Sequence, residues 1–381
     1  MNIGIVCYPT FGGSGVVATE LGKALAQNGH NVHFITYSQP VRLSVFSGNI
    51  FYHEVTISDY PLFDYPPYEL ALANKIVEVA KYSKLDLLHV HYAIPHASAA
   101  YMAKQMLAAE NISLPFITTL HGTDITLVGK DASFETAISF AINESDAVTA
   151  VSESLKQDTY FYFRSVAKKD IRVIPNFIQL DQYDFVKAKK DRSLYASDKQ
   201  KILVHVSNFR KVKRVEDVLR MFDIVRKKIP SRLILVGDGP ERSNIDRLCR
   251  ELDTCAEILS LGKIVDPNGI LAVSDLFVLP SETESFGLAA LEAMAARVPV
   301  ISTNTGGLPE INKHGFSGML SNVGDVEDMA KNAIHILGDE KVLAEFKENA
   351  HKQAEKYDIR NILPIYEALY KEVLDKAKAK K

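Results

Sequence analysis

The chain has 381 residues, 47% of them apolar and 24% charged, with a formal net charge of −3. That length accommodates two α/β domains of ordinary size, and the near balance of charge argues against an electrostatic fit to nucleic acid or to an anionic membrane. Three cysteines, Cys7, Cys249 and Cys255, are too few for a disulfide framework or a closed zinc site, and are expected as separate buried thiols in a reducing compartment. Met1–Val6 lacks the basic start of a signal peptide and reads as a buried strand. No apolar run reaches the ~18 residues that span a bilayer. A cytoplasmic, soluble protein without stable membrane association is the expectation. A homo-oligomer is compatible with the sequence.

In chain order, short β-branched runs alternate with amphipathic stretches. The first half holds Ile3–Cys7, Val32–Thr36, Leu87–Val90, Phe116–Thr119, Ala147–Val151 and Ile171–Ile174. The second holds Ile202–Val206, Leu233–Val236, Ile258–Leu261, Leu276–Leu279 and Val298–Ile301. Continuous apolar strands between helices mean parallel sheets covered on both faces. The expected fold class is therefore α/β, with two doubly wound Rossmann-like domains. The boundary is placed at Pro175-Asn176, before the polar stretch Asp181–Gln200, giving domains 1–175 and 176–357. Residues 358–381 read as an amphipathic helix, with Ile362, Ile365, Leu369 and Val373 on one face, expected to pack back on the first domain.

The unusual residues follow directly after strands, at Tyr8–Gly15, His89–His96, His121–Asp124, Ser207–Arg214, Gly237–Glu241, Pro280–Gly287 and Thr303–Gly307. Open α/β sheets bind ligands outside the carboxyl ends of their strands, so each domain is expected to present a functional edge.

In the second half, Glu284-Ser285-Phe286-Gly287-Leu288 leads from a strand end into a helical pattern read from Phe286 onward and containing Glu292. Free N–H groups at a helix start suit a diphosphate. The two carboxylates would lie ~12 Å apart if both were helical, about the span from a sugar across a diphosphate to a ribose. On spacing alone, a helix-start acid and a surface acid explain them equally well. Arg210 and Lys213 sit at a strand end, where cations neutralise phosphate, although such a charge run is more often a solvated face. Lys263, in Gly262-Lys263-Ile264, is a weaker candidate at the base.

In the first half, Gly13-x-Gly15-x-x-Ala18 satisfies a dinucleotide fingerprint. The acid such a site needs after the second strand is absent, since that segment reads Thr36-Tyr37-Ser38. The glycines instead suit close approach of backbone to a donor phosphate. His121 follows a buried strand and could bond a sugar or an acceptor. His89, His91 and His96 raise the question of zinc, but no acidic cluster joins them. No Asp-x-Asp occurs, so no metal is expected to hold the diphosphate.

Together these motifs resemble the GT-B glycosyltransferase family 4, which includes sucrose synthase, over essentially the whole chain. The resemblance implies two domains facing across a cleft and a UDP-sugar donor. Glu284 would lie on the sugar hydroxyls, Glu292 on the ribose, and Arg210 and Lys213 on the diphosphate. Backbone near Ser285, Phe286, Gly287 and Leu288 would complete the donor site. Cys7-Tyr8-Pro9, Gly12–Val17, His89–His96, Leu120–Ile125 and Ser207–Arg210 look like the branch that joins N-acetylglucosamine from UDP-GlcNAc to the hydroxyl of L-malate. That implies Ser14, Tyr92 and Thr119 around the acceptor, with retention at the anomeric carbon. A lipid-linked sugar acceptor, a nucleotide-sugar sensor and a UDP-sugar epimerase are the rival readings. Two positions depart from the family pattern: Asn208 stands where Arg is usual, and Arg297 where Gly often ends the helix.

Overall fold

The structure is a computed structural model and describes residues 1–10, 12–43, 48–57, 67–127, 131–183 and 192–379. Part of the expected linker, 184–191, lies outside them. The chain divides into two compact units, Met1–Asn176 with Ile359–Lys381, and Phe177–Asp358.

Among the described residues the first unit carries seven strands: β1 (Asn2–Val6), β2 (Asn31–Thr36), β3 (Ile50–Glu54), β4 (Leu87–His91), β5 (Phe116–Leu120), β6 (Ala147–Ala150) and β7 (Ile171–Val173). Their order is β3-β2-β1-β4-β5-β6-β7 and every pairing is parallel. Each residue of β4 and β5 is buried, which is why these strands read as unbroken apolar runs with only His and Thr interleaved. A core of Val6, Leu72, Ile76, Leu88, Val90 and Phe116 covers one face, each such side chain contributing about 1.5–3 kcal/mol on burial. The helix Ile359–Ala379 belongs to this unit. Its Tyr366 and Tyr370 are fully buried, and its Glu372 takes both Arg172 guanidinium nitrogens, at 2.6 and 2.7 Å.

The second unit carries β8 (Lys201–Val206), β9 (Ser231–Val236), β10 (Ile258–Gly262), β11 (Leu276–Leu279), β12 (Val300–Thr303) and β13 (Gly318–Ser321). The order is β10-β9-β8-β11-β12-β13, again parallel throughout. Strands β3 and β13 were not expected from the sequence. Both are outermost, and Ile50–Glu54 carries polar and exposed residues, so neither shows the apolar run that marks a central strand.

In each sheet the strand order reverses once, between β1 and β4 and between β8 and β11. A doubly wound sheet leaves a crevice at that point, because successive connections leave in opposite directions. Ligand-binding chemistry is therefore to be sought on the loops after these four strands.

One expectation is overturned. Cys249 and Cys255 are joined in a disulfide, and neither is buried; only Cys7 is a buried free thiol. The helix Arg242–Glu251 ends beside Asp253, whose φ of 50° turns the chain back and brings the two Cα atoms to 5.2 Å.

Candidate active site

On the second unit the loops after β8, β9, β11 and β12 are knit together by backbone. Glu282 N–H donates to Val212 O at 2.8 Å, Gly307 N–H to Glu284 O at 2.8 Å, and Glu241 N–H to Phe209 O at 3.0 Å. Thr303 Oγ1 donates to Ser281 O at 2.6 Å. Two glycines make this packing possible. A Cβ on Gly237 would stand 1.8 Å from Ser207 O, and one on Gly306 2.0 Å from Glu284 O, and both residues have positive φ.

This frame holds Glu284 and Lys213 together. Lys213 Nζ donates to Glu284 Oε2 at 2.5 Å, with the two side chains 19% and 17% exposed. The sequence reading gave them separate duties, sugar for the acid and phosphate for the base. Here they neutralise each other, so an anion bound by Lys213 has to compete with the Glu284 carboxylate. Arg210 is exposed at the end of β8 and makes no ion pair with any described residue. Asn208, two places earlier, is exposed as well. Lys263 is exposed just beyond β10.

The helical pattern read from Phe286 begins two residues later, at Leu288. Gly287 has φ 94° and ψ 47°, a left-handed conformation that no side chain adopts cheaply and that ends the loop before the helix starts. Glu284 therefore lies in the loop and not on the helix, and the 12 Å premise does not describe the pair. Glu292 is 7% exposed on the helix Leu288–Ala295, which removes the surface-acid reading. Phe286 is buried against Tyr357, with ring centroids 5.8 Å apart, leaving its backbone as what it can offer a ligand. Ser285 is half-buried beside Glu284, and Gly307 leaves no room near its carbonyl, at 2.4 Å from a would-be Cβ. At the start of that helix the Ala290 and Leu291 N–H groups donate to Gly287 O, at 3.0 and 3.1 Å, which leaves those of Leu288 and Ala289 without an intrahelical carbonyl.

Arg297 follows that helix with φ 56° and pairs with Glu348. Left-handed backbone costs a non-Gly residue about 1–2 kcal/mol, while glycine loses more entropy on folding. Arg297→Gly is expected to be neutral or stabilising by up to ~1 kcal/mol, with unchanged UDP affinity. Calorimetric melting and a UDP titration check both halves of that statement.

On the first unit the loops after β1, β4 and β5 converge. Gly13 opens the helix Gly13–Gln27. Gly15 lies so close to the preceding loop that a Cβ would come within 2.4 Å of Tyr8 O. Ser14 and Tyr92, expected together at the acceptor, are joined: Tyr92 O–H donates to Ser14 Oγ at 2.9 Å. Tyr92 has φ 86°, and its ring meets Tyr8 edge-on at 5.3 Å and His121 at 5.4 Å. Asp124 ties the β4 and β5 loops by accepting from Ala93 N–H and Gly122 N–H, each at 3.0 Å. Burial raises its pKa to about 6 against the lowering effect of those N–H donors.

Thr119 is placed differently from expectation. It is fully buried in β5, with its hydroxyl committed to His89 Nε2 and Thr149 Oγ1, both at 2.7 Å. Its side chain supports the layer beneath the loops. The histidines are likewise engaged: His91 Nδ1 bonds His121 Nε2 at 2.8 Å, and His96 Nδ1 donates to the His91 carbonyl oxygen. Among the described residues no three His, Cys, Asp or Glu side chains form a group suited to a metal ion. Sequence reading also missed a cavity of about 430 Å³ lined by Tyr8, Tyr37, Glu54, Thr56 and Tyr68. Its lining depends on β3, which gave no apolar signal.

The histidine layer makes the first unit acid-sensitive. Burial lowers His89 to about 3 and His96 to about 4, and pushes His91 well down, whereas the second unit has one such group, His205, at about 4. A depressed histidine contributes stability above the unfolded value near 6.5, and that contribution is lost as pH falls toward the folded value. Each such group costs about 1.4 kcal/mol per pH unit across that window. Asp124 works in the opposite sense, being raised, but is one group against six, since burial also lowers His33, His53 and His121. Between pH 6.5 and 4.5 the melting of the first unit is expected to drop well ahead of the second. Hydrogen exchange at several pH values reads each unit separately, and equal loss in both would contradict the assignment.

Two parallel α/β units, each with a loop cluster at its switch point, one basic and carboxylate-bearing and one rich in hydroxyl and imidazole groups, define a GT-B glycosyltransferase. The chain belongs to glycosyltransferase family 4. The sequence model described as Glycosyltransferase Family 4 matches residues 11–182, and that described as Glycosyl transferases group 1 matches residues 186–353. The N-acetyl-alpha-D-glucosaminyl L-malate synthase of Bacillus anthracis is 48% identical over 98% of this chain and 97% of its own length. Among solved structures, sucrose-phosphate synthase from Thermosynechococcus elongatus superposes with a TM-score of 0.80 at 20% identity, covering 99% of this chain and all of that one. Anabaena HepE, in complex with UDP and glucose, gives a TM-score of 0.77 at 20% identity, covering 97% of this chain and 99% of that one. The two structures share the fold. Among the described residues no helix is long and apolar enough to cross a membrane.

Proposed function

We propose that this chain transfers N-acetylglucosamine from UDP-GlcNAc to the hydroxyl of L-malate, the opening step of bacillithiol synthesis, in the cytoplasm, with retention and without a metal ion. The observation that carries this reading is the 48% identity, over nearly the full length of both chains, to the Bacillus anthracis synthase. The donor belongs on the second unit. Arg210, Lys213 and the N–H groups near Gly287 and Leu288 stabilise charge growing on the diphosphate. Glu284 accepts from sugar hydroxyls and Glu292 from the ribose, while Lys263 lies toward the base. Gly13 and Gly15 let the backbone after β1 come close to a ligand. Malate belongs beside Ser14 and Tyr92. The bond from the anomeric carbon to the phosphate oxygen breaks, the malate hydroxyl oxygen bonds to the same face, and its proton passes to the leaving phosphate oxygen. No side chain is needed as base, and Glu284 orients the sugar without attacking it.

Incubating the protein with UDP-GlcNAc and a panel of hydroxy acids, with and without EDTA, tests this. UDP release with malate, insensitive to the chelator, is expected. Release only with a lipid-linked sugar would move the acceptor assignment, release abolished by EDTA would overturn metal independence, and no release with any acceptor would leave a sensor.

A further inference from the structure

His89 and His91 stand two residues apart on β4, so both face the same side of the sheet. Both are fully buried, and their rings stack at 4.6 Å and 25°. His89 is pinned at both nitrogens, by Tyr370 O–H at Nδ1 and Thr119 Oγ1 at Nε2, each at 2.7 Å. Tyr370 comes from the C-terminal helix, 281 residues away in sequence. His91 in turn lies edge to edge with His121, with centroids 5.0 Å apart and planes within 24°, and its Nδ1 meets His121 Nε2 at 2.8 Å. The remaining nitrogen of His91, Nε2, is buried and has no partner among the described residues. His121 is half-buried, and its Nδ1 bonds no described residue.

These contacts decide where the protons sit. A neutral imidazole has one N–H and one lone pair, and the bond between Nδ1 of His91 and Nε2 of His121 uses one of each. If His91 carried its proton on Nε2, that N–H would be buried without an acceptor, at the full desolvation cost of the donor. With the proton on Nδ1, only a lone pair is left unfilled, and buried acceptors tolerate this better than donors do. His91 therefore donates, His121 Nε2 accepts, and the proton of His121 is forced onto Nδ1. Burial keeps both rings neutral, with His121 lowered to about 3, so no second proton relaxes the choice.

We infer that His91 is a positioning residue that fixes His121 as the Nδ1–H tautomer, so that His121 offers its substrate a hydrogen-bond donor and not a lone pair. Tyr370 and Thr119 hold His89, the ring on which His91 stacks, and so keep the donating geometry in place. The consequence for chemistry, which rests on the proposed transferase reading, is that His121 bonds a sugar or acceptor oxygen and cannot take the attacking hydroxyl's proton.

The test is ¹⁵N NMR of the full chain labelled at histidine, with His121 assigned by its loss in His121→Gln. A protonated Nδ1 and an unprotonated Nε2 at His121, unchanged from pH 6 to 8, are expected. A protonated Nε2 in the unmodified protein would overturn the inference. Two variants extend the test. His91→Asn places an N–H near the position of Nδ1 and should keep the tautomer and the transfer rate. His91→Leu removes the donor and should shift the His121 signals toward the Nε2–H form, with kcat down ~10-fold, the worth of about one hydrogen bond. Unchanged His121 signals in His91→Leu would also overturn it. The tautomer is read without substrate, so a protein inactive on UDP-GlcNAc would sink the transferase reading and leave this result standing.

Discussion

Glu284→Gln is expected to lower kcat/KM for the sugar donor by ~10- to 150-fold, the worth of one hydrogen bond to a charged group. The substitution keeps the shape but removes the carboxylate that Lys213 contacts at 2.5 Å. Two consequences oppose each other. The variant loses a strong acceptor for sugar hydroxyls, yet it frees Lys213 for the diphosphate. If Glu284 acts mainly on the sugar, kcat falls while affinity for UDP itself holds or improves. Lys213→Ala should instead weaken UDP binding. Because the two side chains touch, their effects should not add, with a coupling of about 0.5–3 kcal/mol in the double variant. Full activity with unchanged donor affinity in Glu284→Gln would show that this carboxylate does not hold the sugar.

Gly306→Ala should be among the most damaging small substitutions in the second unit. Its Cβ would lie 2.0 Å from Glu284 O and 2.9 Å from Glu284 C, all backbone that cannot swing aside, at a φ of 56°. We expect a loss of ~4 kcal/mol or more, the range reserved for strain that cannot relax, or a shifted Glu284 in whatever still folds. Gly315→Ala supplies the contrast: φ is 74° and nothing lies within 4 Å, so only the backbone cost of ~1–2 kcal/mol applies. Thermal unfolding compares them, and equal losses would mean that loop packing around Glu284 contributes little.

Central strands were legible because a parallel strand buried on both faces must be apolar throughout, as Leu87–His91 and Leu276–Leu279 nearly are. The edge strands Ile50–Glu54 and Gly318–Ser321 lack that constraint and carried no signal. Phe286-Gly287-Leu288 looked helical by composition, whereas the left-handed Gly287 delays the start. Residue types at the candidate site were legible from their places after strands; their partnerships were not. Lys213 and Glu284 are 71 residues apart, and His89 and Tyr370 are 281 apart. Such pairs follow from how the elements pack, which local pattern does not encode. The Cys249–Cys255 bridge was hidden for a related reason, since it depends on the single turn at Asp253.

The Glu284 and Glu292 carboxylates, the basic loop and the Ser14–Tyr92 pair all serve one claim, transfer of a sugar from UDP to a small hydroxy acid with its configuration kept. The most direct test follows the anomeric proton by NMR in a mixture of the protein, UDP-GlcNAc and L-malate. The α-glycoside of malate, formed in step with UDP, is the expected product. A β-glycoside, or free N-acetylglucosamine with malate untouched, would contradict the account.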